Sequence, residues 1–441
     1  MTYLSSNSTP YIIAGLYALR QYTIEANIPE LEDIIIKSQL AQFLCFRLEI
    51  HSKLHEKEDY SIVFEILWIF INLLATEPKR PDEYLHQLVT PARLQCIELL
   101  LDNQYTSIVD NTIWMLISLI SMNKKYKLAV LNSKLVKKCI YLTTKSPIEV
   151  LQLRHLLEFI IQMIKDIDAE KYKDLIGSAL TVFQNELFHV SSPECFSLGI
   201  KGISKISNLD DLPKDISNRI INDGSAIKIL RTDLSSNKNN LYYALHILFN
   251  LLAMNDKVIE ILLQLRVMDY YEIHLNKYMN DVDITPLIIG GMENIAEGRD
   301  EYKKVIISSI LFEEKEKKYL ALLYSNISYI RTEMINLIEI LSLSKNEDIL
   351  EFLNEKGIIH EILLLAIDER LRKNFFNKYT NIISSFLLNY HKANLQKKAK
   401  YIYVFEKYQE LLNSMNPLIT EKDREKLRYI INETNVNNSY N

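Results

Sequence analysis

Between Phe64 and Thr76 the chain reads Phe-Glu-Ile-Leu-Trp-Ile-Phe-Ile-Asn-Leu-Leu-Ala-Thr, apolar at nearly every position around a helical wheel. A helix that is apolar on all sides belongs inside a structure rather than on its surface. Trp68 and Asn72 interrupt the run, and their spacing of four places them on one helix face. A buried Asn amide needs hydrogen-bond partners that its own helix does not supply. Either the fold or a bound ligand must therefore satisfy Asn72. The same pattern returns in Asn111–Ser121, with Trp114 and Ser118 in the two slots. Weaker copies follow as Glu158/Gln162, Ile200/Ser204, His246/Asn250, Gly290/Asn294 and Ile335/Glu339. The second slots are separated by 46, 44, 42, 46, 44 and 45 residues.

A helical repeat with that period predicts a solenoid of the armadillo/HEAT class. The fold class is expected to be all-α, a right-handed superhelix of about nine or ten armadillo repeats. Each repeat should run from a loop into a helix, through a tight turn, and into the long buried helix that carries the slots. Ser146-Pro147-Ile148-Glu149, Ser192-Pro193-Glu194 and Thr285-Pro286 predict helix starts, because a Ser or Thr caps and a Pro fits the first turn. Residues 1–10 are expected to be a disordered leader, 11–433 the solenoid with capping helices over 391–433, and 434–441 a frayed tail. A solenoid needs such a polar end to cover its last repeat.

Composition supports long helices over an α/β enzyme. Nine glycines and ten prolines in 441 residues leave no GxxxxGK[ST] and no GxGxxG to cradle a phosphate. No slot pairs a nucleophile with a base, so no enzyme activity and no cofactor are expected. Cys45, Cys96, Cys139 and Cys195 are far apart in apolar settings, which predicts buried reduced thiols. His51 and His55 have the spacing of a two-His metal site but no third ligand nearby, so no metal is expected. The longest apolar segment, 62–75, is too short to span a bilayer, and the N-terminus lacks a basic region before its first apolar run; neither a membrane span nor a signal peptide is expected. The net charge of −5 argues against nucleic acid as a partner. Residues 391–441 hold 9 Lys/Arg against 6 Asp/Glu, leaving 42 against 50 in residues 1–390, and an acidic body suits a basic ligand.

Several stretches resemble importin-α, the armadillo adaptor that reads nuclear localisation signals. They are Phe64–Asn72, Asp110–Ser121, Ala18–Gln21 with Asn27-Ile28-Pro29, Met292–Gly298, and Glu347–Leu353 with Gly357-Ile358-Ile359. The resemblance runs from about residue 11 to about 433. It implies a concave groove that holds Lys/Arg-rich segments of cargo proteins, in the cytoplasm and the nucleus. Trp side chains would make slots for Lys or Arg stems, and Asn amides would hold the peptide main chain. By that resemblance the peptide-binding residues are Trp68, Asn72, Trp114, Ser118, Gln162, His246, Asn250, Asn294 and Glu339. Only the second repeat keeps the full Trp/Asn pair. The family's lysine-binding Asp falls at Met122, Gly290 and Ile335 stand where the family has Trp, and Glu339 stands where it has Asn. Residues 1–40 contain only Arg20 and Lys37 as cations, so the basic segment that binds importin-β is not expected here. The same residues admit plainer roles: Trp68 and Trp114 as core, the Asn amides as satisfied core groups, and the whole chain as an armadillo scaffold for protein interactions unrelated to import.

Overall fold

The computed structural model describes residues 8–25, 28–53, 56–76, 79–313, 317–367, 375–393 and 399–414, with Glu425 and Tyr429. Among the described residues every regular element is helical. The chain divides into two compact units, Met1–Lys228 and Ile229–Asn441.

In the first unit five helices form a ladder: α1 (Thr9–Glu25), α2 (Lys57–Ala75), α3 (Thr106–Met122), α4 (Val150–Ile164) and α5 (Pro193–Ser207). Each packs against the next in chain order. The reason is visible in α2, where Ile62, Ile66, Ile69, Phe70 and Leu73 are all buried and the apolar surface runs round the helix. Such a helix needs neighbours on several sides. Two shorter helices supply them before α2 and α4: Ile28–Lys37 and Leu40–His51 before α2, and Lys124–Leu131 and Leu135–Thr143 before α4. The repeat thus holds three helices, one more than the hydrophobic pattern alone predicts, because the first helix of each triplet is short and partly polar.

The segment leading to α5 departs from this plan. There a single helix, Lys173–Phe188, precedes the ladder helix and packs closely on it. Gly199 and Gly202, three apart on α5, make the approach possible. A Cβ on Gly199 would lie 3.0 Å from the Phe183 carbonyl oxygen, and one on Gly202 would lie 2.5 Å from the Phe183 ring.

The second unit repeats the ladder with α6 (Lys238–Leu252), α7 (Ile284–Glu297), α8 (Ser328–Ser342) and α9 (Phe376–Lys392), again packed in order. Helix pairs Asp256–Gln264/Val267–Tyr278 and Glu347–Glu355/Ile358–Ile367 precede α7 and α9. A last helix, Ala399–Ser414, lies against Ile358–Ile367 and α9. The tail expected over 434–441, and nearly all of the helix expected over 421–433, lie outside the described residues.

Helix starts follow local chemistry with two corrections. At Thr285-Pro286 the helix begins at Ile284 after Asp283, and Thr285 lies inside it, its hydroxyl donating to the Tyr278 carbonyl. Ser192 caps α5 with Pro193 in the first turn, its Oγ accepting from the Cys195 N–H at 3.0 Å. At 146–149 the expected start is overturned: α4 begins at Val150, and Glu149 holds the extended conformation of an N-cap. Asn123, Asn237, Asn255 and Asn346 cap helices through their side-chain oxygens, so the Asn-rich connections are structural. The first ladder helix begins at Thr9, two residues inside the expected leader. No described helix is long and apolar enough to cross a membrane.

Candidate functional site

In the first unit the ladder carries a run of aromatic rings. Phe64 and Trp68 on α2 have centroids 6.4 Å apart, Trp68 meets Trp114 on α3 edge-on at 5.4 Å, and Trp114 stacks on His155 of α4 at 6.3 Å. Tyr60 extends the run, 5.8 Å from Phe64. Trp114 is 41% exposed, far more than a core Trp, whereas Trp68 is half-buried. The indole N–H of Trp68 is buried and has no hydrogen-bond partner. His155 is held in place by Asp110, with Nδ1 2.7 Å from the carboxylate. His155 was not legible as a site residue. Its only sequence signal is a position one helical turn before the slot at Glu158.

The amides have a different employment. Asn72 donates to Thr23 Oγ1 on α1 at 3.1 Å, and Thr23 in turn donates to the Arg20 carbonyl at 2.7 Å. Beside them Arg20 and Glu65 form an ion pair at 3.0 Å; burial pushes the Glu65 carboxyl up and Arg20 pulls it back. In the second unit Asn294 on α7 donates to the Phe249 carbonyl of α6 at 2.9 Å. Asn389 on α9 does the same to the Ser342 carbonyl of α8 at 3.2 Å. Asn294 and Asn389 therefore bond carbonyls in the last turn of the preceding ladder helix and tie neighbours together, while Asn72 reaches α1 through the Thr23 hydroxyl. One N–H spent this way leaves Asn72 and Asn294 a second N–H and a carbonyl oxygen. Asn250 lies 3.1 Å from His246 Nδ1, and Glu339 accepts from Asn381 of α9. Ser118 and Gln162 are half-buried on α3 and α4. Asn294→Ala is expected to lower stability by about 1 kcal/mol, the usual worth of one such bond; urea denaturation of the variant checks it, and no change would mean the tie carries no energy.

The second unit holds a group of carboxylates that the sequence did not reveal. Burial, the adjacent Glu333 on α8 and then Glu297 raise the Glu293 carboxyl to about 9, and Lys378 opposes them only weakly. Glu293 is therefore held in its protonated form at neutral pH. Gly290 stands in the first slot with the Phe249 ring against it, and a Cβ there would lie 3.7 Å from Glu333 Oε2. Tyr329, 60% exposed, lies beside these carboxylates, and burial and then Glu333 raise its hydroxyl above the usual range.

Other candidate chemistry is structural. His51 Nδ1 lies 2.6 Å from Asp59, and His55 falls outside the described residues. Among the described residues no three His, Cys, Asp or Glu side chains form a metal-ligating group. All four cysteines are free and buried, and burial pushes the Cys45 thiol up to about 12.

The fold so built is an all-α solenoid of stacked helical repeats with aromatic and acidic side chains on its ladder helices. No protein-family model matches the chain, and no curated protein does. Among solved structures, an engineered protein superposes over 98% of this chain and 97% of its own, with a TM-score of 0.73 at 15% identity. Two designed armadillo repeat proteins match shorter stretches. One covers 56% of this chain and 99% of its own at 14% identity and a TM-score of 0.48; the other, in complex with peptide (KR)4, covers 58% and 100% at 17% and 0.47. The likeness over the whole chain is one of fold.

Proposed function

We propose that this chain is a non-enzymatic peptide-binding adaptor of the importin-α type, which holds Lys/Arg-rich segments of cargo proteins for import into the nucleus. The observation that carries the proposal is the exposed Trp114, flanked by Trp68 and His155 on successive ladder helices. An indole face of this kind takes the aliphatic stem of Lys or Arg and attracts its charge, worth roughly 0.5–2 kcal/mol per contact. Glu297 and Glu333 of the second unit supply counter-charge for further basic residues, and Glu293 joins them only on giving up its proton. Met122 supplies none in the first unit. A short single-cluster basic peptide should therefore bind more weakly than it would with a buried carboxylate there, by roughly 2–5 kcal/mol.

Trp68 and Trp114 are the chain's two tryptophans, so tryptophan emission, excited selectively over tyrosine, reports on this face. Titration with a Lys/Arg-rich peptide should shift that emission, and raising the salt should weaken the effect. Trp114→Ala should weaken binding by about 2- to 30-fold, the equivalent of one lost cation–π slot. Unchanged affinity in a folded Trp114→Ala variant would overturn the proposal. Equal binding of an acidic control peptide would favour a scaffold for other protein surfaces instead.

A further inference from the structure

A cavity of about 490 Å³ lies in the first unit, where the C-terminal ends of α3 and α4 meet helix Lys124–Leu131 and the loop 165–172. That volume falls in the range of small-molecule sites, roughly 300–1,000 Å³. Its walls divide by chemistry. Ile120, Leu128, Leu131 and Ile167 make an apolar floor. Lys124, Lys127, Lys165 and Lys171 stand round it against only two carboxylates, Asp166 and Asp168. Asp168 is already engaged, accepting from the Lys171 backbone N–H at 2.8 Å.

The cations are close enough to feel one another. Lys127 donates to the Lys165 carbonyl at the end of α4, where the helix dipole favours positive charge. Burial nonetheless lowers the pKa of its ammonium; Asp166 offsets this in part, and Lys165 and Lys124 lower it further. An anion in the cavity would relieve that repulsion. The second indication is Tyr172. Its hydroxyl is buried and has no hydrogen-bond partner, while the Lys171 ammonium sits 5.1 Å from its ring centroid. A buried hydroxyl left unpaired is costly unless something enters to accept from it.

We propose that this cavity binds an amphipathic organic anion, a phosphate or carboxylate head on an alkyl body. Lys124, Lys171 and the Tyr172 hydroxyl receive the head, and the apolar floor receives the body. Two sources offer this chemistry, a soluble alkyl phosphate and a membrane phospholipid, and the test separates them. In calorimetric titration, octyl phosphate should bind at least about tenfold more tightly than inorganic phosphate or octanol, because only it uses both the cations and the floor. The double variant Lys124→Ala/Lys171→Ala, changed at exposed positions, should weaken octyl phosphate about tenfold or more with an unchanged melting temperature. Tyr172→Phe should weaken it less, and Trp114→Ala should leave it unaltered. Equal binding of octyl phosphate and inorganic phosphate, or wild-type binding by the double variant, would overturn the proposal. Sedimentation with phosphatidylcholine vesicles containing phosphatidic acid then assigns the source. Lysine-dependent co-sedimentation assigns the lipid, and its absence with octyl phosphate still bound assigns a soluble ligand.

Discussion

Glu293→Gln is expected to stabilise the second unit at pH 7–8 and to flatten its dependence on pH. The Glu293 carboxyl is raised from an ordinary value near 4.5 to about 9 by burial and by Glu333. A group whose pKa is raised in the folded chain contributes stability that is fully present below its unfolded pKa, about 4.3. That contribution is lost as pH rises towards 9, because the unfolded chain releases the proton first. The limiting slope for one proton is about 1.4 kcal/mol per pH unit. Gln keeps the shape of the protonated acid and does not titrate. Wild type and variant should therefore melt together near pH 4 and diverge progressively up to pH 9, the variant being more stable. A difference in melting temperature that stays constant across that range would show that Glu293 does not hold a proton. The same proton links to function: a Lys- or Arg-rich peptide reaching these carboxylates at pH 7–8 should release it on binding. Calorimetry in buffers of different ionisation enthalpy reads that release.

Gly202→Ala should destabilise the first unit, although Ala is the better helix former by about 1 kcal/mol. The added methyl would sit 2.5 Å from three ring carbons of Phe183, a fully buried side chain. Overpacking of this kind costs about 1–3 kcal/mol and should exceed the gain in propensity. The sign of the change is thus the informative quantity. A melting temperature that falls supports the close approach of α5 and Lys173–Phe188, and one that rises would show that the two helices have slack.

Much of the fold was legible because its signals are local. The all-α class and the ladder helices follow from helical hydrophobic runs returning every 42–46 residues, each of which can be read within its own segment. The buried thiols were equally readable from their apolar settings in sequence. The first helix of a triplet was not, because short partly polar helices such as Lys124–Leu131 carry little periodic signal. The start of α4 was misplaced by the Ser146-Pro147 pair, whose capping propensity the surrounding structure overrides.

The sequence by itself determined which residues recur on the ladder helices: Trp68 and Trp114, Asn72, Asn250 and Asn294, Glu339. What each side chain does was decided only when helices about 45 residues apart were stacked. Stacking gave the Asn72 amide to Thr23 and the Asn294 amide to the Phe249 carbonyl, and it left the Trp114 indole exposed against His155. It also brought Glu293 to Glu333, two acids 40 residues apart that no local pattern connects. The physical reason is common to all of these. Periodicity fixes which face a residue shares, whereas partner, burial and charge state depend on what the next helix places opposite that face.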